Sequence, residues 1–239
     1  MRVTDPSRNA FAVWPPPNST VSPATLAREM MALTQASLSP PPFPEGAARG
    51  DGQPVIVIPG FMAPETSTGR LRDFLVRQNF QPVSWTGGIN LGPMRQVMAG
   101  LERQIRDLAA KTERKVALVG VSLGGTTARQ VAKICPDQIS QVITLVSPIH
   151  IPVVTPLAPL AQAAALLWDA EEVADLAAIA APPPVPLTAI ISREDGIIDW
   201  LASRPQPHAS VEVVEVAGSH MAICSNPQVQ RIVADRLAR

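Results

Sequence analysis

The chain has 239 residues, of which 46 % are hydrophobic and 17 % charged, and its 20 basic side chains are matched by 20 acidic ones. Such a composition fits one sizeable globular core and argues against disorder; the balanced charge, with no long run of either sign, argues against a nucleic-acid or anionic-membrane partner. No stretch approaches the roughly 18 apolar residues of a membrane span, and the N-terminal residues lack the apolar run of a signal peptide, so a soluble, cytoplasmic protein is expected.

The 26 prolines cluster at Pro15–Pro17, Pro40–Pro44 and Pro182–Pro186. Proline fixes φ and removes a backbone donor, so these runs are read as stiff connectors outside helix interiors and central strands. Residues 1–50 are therefore expected to form an N-terminal extension on a main domain of residues 51–239. Within the extension, Pro23 to Leu38 has the pattern of a short helix, with Ser22 as N-cap and Leu26, Met30, Leu33, Ala36 and Leu38 on one face.

After Gly52 the pattern becomes regular. Strands are predicted at Val55–Ile58, Gln81–Trp85, Val116–Val121, Gln141–Val146, Leu187–Ser192 and Val211–Val216. Helices are predicted at Thr66–Asn79, Met94–Lys111, Leu123–Cys135, near Ile198, and at Asn226–Leu237. Continuous apolar strands alternating with amphipathic helices predict an α/β fold with a mostly parallel sheet covered on both faces, because a strand buried on both sides has no polar alternation. In such sheets the site lies at the carboxyl ends of the strands.

Ser122 stands at such an end. It is the centre of Gly120-Val-Ser122-Leu-Gly124, a Gly-x-Ser-x-Gly that follows a strand and opens a helix, the context of a nucleophile elbow. A serine hydroxyl needs a general base, and the chain has only His150, His208 and His220. His220 follows the strand Val211–Val216 at a carboxyl end. His208 precedes that strand and falls at the opposite edge; His150 is on the correct edge and is read as a pocket or cap residue. Asp195, three residues beyond Leu187–Ser192 in a turn with Gly196, is the acid that would orient the imidazole, with Glu194 and Asp199 as rivals. The oxyanion donors are expected to be the backbone N–H of Leu123, after the serine, and that of Phe61 in Pro59-Gly60-Phe61-Met62, with Met62 second.

These segments resemble the α/β-hydrolase superfamily, and more narrowly the bacterial lipase-like serine esterases, over about residues 51–239. The resemblance rests on Val55-Ile-Val-Ile-Pro-Gly-Phe61, Val119-Gly-Val-Ser-Leu-Gly-Gly125, Ser192-Arg-Glu-Asp-Gly-Ile197 and Gly218-Ser-His220. It implies Ser122 as nucleophile, His220 as base, Asp195 as acid, and Phe61 with Leu123 at the oxyanion hole. Pro59 departs from the pattern, since many relatives carry histidine there, and an altered substrate preference is expected.

The stretch of about residues 148–184 is too long for a plain connection and is expected to be a small helical cap. Leu157, Leu160, Ala164, Leu167 and Trp168 recur at helical spacing, and Val173, Leu176 and Ile179 continue beyond the acidic Asp169, Glu171, Glu172 and Asp175. The loop Trp85 to Pro93 is read as shaping a turn before the next helix. Cys135 and Cys224 have no metal-ligand spacing and are read as reduced thiols. The expected activity is hydrolysis of short to medium acyl esters through an acyl-enzyme, with a small-molecule ester as partner and with neither metal nor organic cofactor. An acyltransferase using the same triad and a non-catalytic binding protein on the same fold are the alternatives.

Overall fold

The computed structural model of the protein describes residues 11–12, 21–92, 94–150, 153–165 and 179–239. Its centre is a six-stranded, all-parallel sheet built from β2 (Pro54–Ile58), β3 (Gln81–Val83), β4 (Val116–Val121), β5 (Ile139–Leu145), β7 (Leu187–Ser192) and β8 (Val211–Val216), in the order β3-β2-β4-β5-β7-β8. A separate two-residue parallel pair, β1 (Phe11–Ala12) with β6 (Val153–Val154), ties the N-terminal segment to the predicted cap region.

Each central strand divides its side chains between two cores. Val55 and Val57 of β2, Val119 of β4 and Ile143 and Leu145 of β5 face α2 (Gly69–Arg77) and the C-terminal helix α6 (Pro227–Leu237) through Phe74, Leu75, Val229 and Val233. Ile56, Ile58, Leu118 and Val142 face the other way, against Leu101 and Ile105 of α3 (Arg95–Thr112) and Val131 of α4 (Leu123–Ile134). Burying each of these aliphatic side chains contributes about 1.5–3 kcal/mol before ordering costs. The edge strand β8 is different: Val-Glu-Val-Val-Glu-Val carries outward acids, with Glu212 paired to Arg236 at 2.5 Å and Glu215 to Arg193 at 2.5 Å.

Several boundaries differ from the sequence reading. The predicted helix Thr66–Asn79 divides into a 3₁₀ turn, Glu65–Thr68, and α2. Strand β3 stops at Val83, because Trp85 turns away and donates its indole N–H to Gly88 O at 2.9 Å. Near Ile198 the chain forms only a 3₁₀ turn, Trp200–Ser203, capped by Asp199, whose Oδ1 accepts from Leu201 N–H at 3.1 Å.

In the extension, α1 (Pro23–Leu38) starts at Ser22 with a reciprocal capping box to Thr25. Its inward face matches the predicted one at Leu26, Leu33 and Ala36 and departs from it at two positions. Met30 and Leu38 are exposed, and the stripe turned to the protein runs through Thr25, Leu26, Glu29, Leu33 and Ala36. Within the predicted cap, α5 (Ala158–Ala165) buries Ala158 and Ala161 and leaves Leu160 half-exposed, about one position round from the expected stripe. Leu167, Trp168, Asp169, Glu171, Glu172, Val173, Asp175 and Leu176 lie outside the described residues; Ile179 is buried. Among the described residues no helix is long and apolar enough to cross a membrane, and Cys135 and Cys224 are buried, unpaired thiols.

Candidate active site

Strand β4 delivers Ser122 in a conformation that few non-glycine residues adopt, φ 51° and ψ −124°. The sheet ladder continues up to this point, since Ser122 N–H donates to Leu145 O at 2.8 Å, and the chain then turns at once into α4. Such a backbone outlier costs about 1–3 kcal/mol and persists only where neighbours enforce it. The neighbours here are backbone: a Cβ on Gly120 would overlap Gly124 and Gly125, and one on Gly124 would overlap the carbonyls of Ile58 and Pro59. The glycines thus let the elbow, α4 and the end of β2 come together without side chains between them.

That close approach brings the β2 loop beside the serine. A Cβ at Gly60 would lie 3.3 Å from Ser122 Cβ. In the same loop Met62 N–H donates to Asn90 O at 2.8 Å and is thereby occupied. Among the described residues the N–H groups of Phe61, in the β2 loop, and of Leu123, directly after Ser122, make no such bond. Asn90 holds this loop from the other side. It is fully buried, donates Nδ2 to Pro59 O at 2.8 Å, and accepts from Gly92 N–H at 3.1 Å. The sequence reading of residues 85–93 as a turn-shaping segment missed this brace; an asparagine in a loop leaving a carboxyl strand end was the only signal.

His220 and Asp195 meet across two loops. Nδ1 of His220 lies 2.7 Å from Asp195 Oδ2, and both side chains are buried. Asp195 is itself held, because Oδ1 accepts from Ile197 N–H and Ile198 N–H, each at 2.8 Å. With a carboxylate at Nδ1, the neutral ring carries its proton there and leaves Nε2 as an acceptor. Burial is the largest single influence on His220 and opposes its charged form, but the charge and hydrogen bond of Asp195, with the charge of Glu29 added, outweigh it and raise the imidazole above its ordinary value of 6.5.

Ser122, Gly60, Phe61 and His220 share one cavity of about 500 Å³. Its walls come from α1 through Leu33 and Ala36, and from Leu157 ahead of α5. The extension is thus part of the pocket, alongside the predicted cap. Glu194 points elsewhere: its Oε2 accepts from Gly218 N–H at 2.7 Å, bracing the His220 loop and leaving the ring to Asp195. His150 lies against Arg204 O at 3.0 Å, and His208 pairs with Ser210 at 2.9 Å beside the start of β8. Cys224 also lines the cavity, but burial pushes its thiol up to about 12, so it stays protonated.

No protein-family model matches the chain, and no curated protein matches it. Solved structures do. A monoacylglycerol lipase from Paleococcus ferrophilus superposes with a TM-score of 0.58 at 16 % identity, over 80 % of this chain and 96 % of that one. Lipase B from Aspergillus fumigatus gives a TM-score of 0.60 at 18 % identity, over 98 % of this chain and 65 % of its own length. The carboxylesterase CesB from Bacillus subtilis gives 0.54 at 13 % identity, over 89 % of this chain and 98 % of that one. The chain has the α/β-hydrolase fold. Within that fold the six parallel strands place Ser122, Asp195 and His220 after β4, β7 and β8, at the same sheet edge as the Gly60–Phe61 loop that follows β2.

Proposed function

We propose that the protein is a serine carboxylic ester hydrolase that works through an acyl-enzyme. The observation that carries this reading is the strained Ser122 backbone in the wall of a cavity that it shares with Phe61, whose N–H is unoccupied, and with His220, whose ring is held from behind by the buried Asp195. His220 Nε2 takes the Ser122 hydroxyl proton as Oγ attacks the ester carbonyl, and the N–H groups of Phe61 and Leu123 hold the oxyanion. The imidazolium then protonates the departing alkoxide, which leaves as alcohol. Water, deprotonated by the same Nε2, attacks the acyl-enzyme and releases the acid and the free serine. Asp195 orients the ring and stabilises its charge throughout. The similarity of the fold to lipases and a carboxylesterase supports the same substrate class. Apolar walls and a volume near 500 Å³ favour short to medium acyl chains.

The test is hydrolysis of chromogenic esters of increasing acyl length by the native protein and by Ser122→Ala at matched folding. Turnover that is lost in the variant supports the reading, and its chain-length optimum sizes the cavity. Equal rates in both proteins, or none in the native one, overturn it.

The pH dependence has a defined sign. The base must be unprotonated, and its titration is raised, so the acid limb of kcat/KM is expected above the ordinary histidine value of 6.5. The same raised value means that folding gains from His220 below the unfolded pKa and loses that gain as pH rises through the folded one. The chain should therefore give up part of its stability over the pH interval in which it becomes active, which parallel denaturant titrations and rate profiles would follow.

A further inference from the structure

The N-terminal helix contributes a carboxylate to this site that belongs to none of the motifs. Glu29 on α1 is 0 % exposed, yet it is an ionisable side chain inside a stripe of Leu26, Leu33 and Ala36. Its Oε1 accepts from Gly196 N–H at 2.8 Å and from His220 N–H at 3.0 Å, and its Oε2 accepts from Met221 N–H at 2.9 Å. One carboxylate thereby bridges the turn that carries Asp195 and the loop that carries His220, positions 167 and 191 residues away in the chain.

The contact is built on both sides. Thr25, one turn earlier on α1, donates Oγ1 to Gly196 O at 2.9 Å, and Arg28 donates to Glu194 O at 3.0 Å. Gly196 is glycine for this reason: its φ is not in the left-handed region, but a Cβ there would come 2.9 Å from Glu29 Cγ and 3.0 Å from Thr25 Cβ. A buried carboxylate is costly unless its oxygens are satisfied, and three backbone N–H groups converging on Glu29 supply that. On the proposed reading of the site, we infer that Glu29 is a positioning residue, a second carboxylate that fixes the His220 backbone against the Asp195 turn and supports the charged imidazole through space.

Among the described residues the ionisable groups around His220 are few, Arg70 and Asp73 being in the wall of the same cavity without a hydrogen bond to His220. Asp195 faces the ring from the β7 loop and Glu29 faces its backbone from α1, and both charges favour the imidazolium. Glu194 reaches the same loop only through Gly218 N–H, Arg28 is turned to Glu194 O, and Cys224 remains a neutral thiol. Removing the Glu29 charge therefore leaves burial less opposed, and His220 should titrate at lower pH.

The experiment compares the full-length native protein with Glu29→Gln and Glu29→Asp, following His220 by NMR titration and ester turnover by kcat and KM across pH. A glutamine amide can accept from Gly196 and His220 but turns an NH2 group toward Met221 N–H, so donor meets donor. In Glu29→Gln the expected result is a lower His220 titration and a kcat reduced about ten- to a hundredfold with KM nearly unchanged. Glu29→Asp should recover part of both. An unmoved His220 with unchanged kcat overturns the inference, and so does a loss that merely follows the unfolded fraction. If His220 moves while neither protein hydrolyses any ester, the positioning role stands and the esterase reading falls. Should Glu29→Gln not fold, Glu29→Asp carries the test alone: its charge is withdrawn by one methylene, and an unchanged His220 titration and kcat would overturn the role.

Discussion

Replacing Ser122 by glycine is expected to lower ester hydrolysis by about five to six orders of magnitude, the loss typical of removing a hydrolase's serine, and at the same time to stabilise the protein. The two effects have one source. At φ 51° and ψ −124° the Ser122 backbone sits where a Cβ is penalised, and glycine removes that penalty. Strain relief of about 1–3 kcal/mol, offset by about 0.5–1 kcal/mol for the greater freedom of glycine in the unfolded chain, leaves a gain near 1 kcal/mol. For a chain of this size that is a rise of roughly 2–4 °C in Tm. Thermal unfolding and ester assays on the same sample check it. A variant that loses both stability and activity would make Ser122 a structural residue and would remove the central support for the proposed chemistry.

The elements that a sequence displays well are those whose physics is local. The buried strands β2, β4, β5 and β7 are runs rich in Val, Ile and Leu, and Ser22 and Asn226 cap their helices with the side-chain bonds their residue types favour. The placement of Ser122, Asp195 and His220 at one sheet edge was legible because each follows a strand of a parallel sheet, whatever the loops do. Asp195 and His220 do lie within a hydrogen bond of each other, and Ser122 opens into the same cavity as His220. Glu29 and Asn90 were not legible, since their work is done at the far end of long chain separations. On α1 the apolar pattern selected Met30, one position from the residue that is buried. Had the acid been weighed as a member of the stripe Leu26, Leu33 and Ala36, its burial would have required partners and pointed to a second docking contact. The α5 stripe slipped in the same way, because alanines bury as readily as leucines when the helix packs closely. At Pro59, where the resemblance predicts histidine, the carbonyl takes the Asn90 amide, so the loop is braced through backbone and a distant side chain.

Asp195→Asn should cost about four orders of magnitude in kcat while leaving the fold intact, because the change reverses one proton and keeps every backbone contact. Asparagine can still present its oxygen to Ile197 and Ile198 N–H, as Asp195 Oδ1 does at 2.8 Å. The NH2 group then occupies the place of Oδ2, 2.7 Å from His220 Nδ1, and that nitrogen must accept. The ring proton moves to Nε2, the atom that receives the Ser122 proton in the proposed mechanism, and the imidazolium loses its nearest counter-charge. The pH profile separates this from a general loss of structure. With the Asp195 charge and hydrogen bond gone, burial acts against His220 with only Glu29 in opposition, so the residual acid limb should shift to lower pH. Stability should shift with it. The native protein gains from His220 below its unfolded value near 6.5, and the variant forgoes that gain, so the two should differ most under mildly acidic conditions and converge as pH rises through the native titration. A deficit that is the same at every pH, or an acid limb that stays in place, would mean that Asp195 holds the turn and leaves the charge of His220 to other groups.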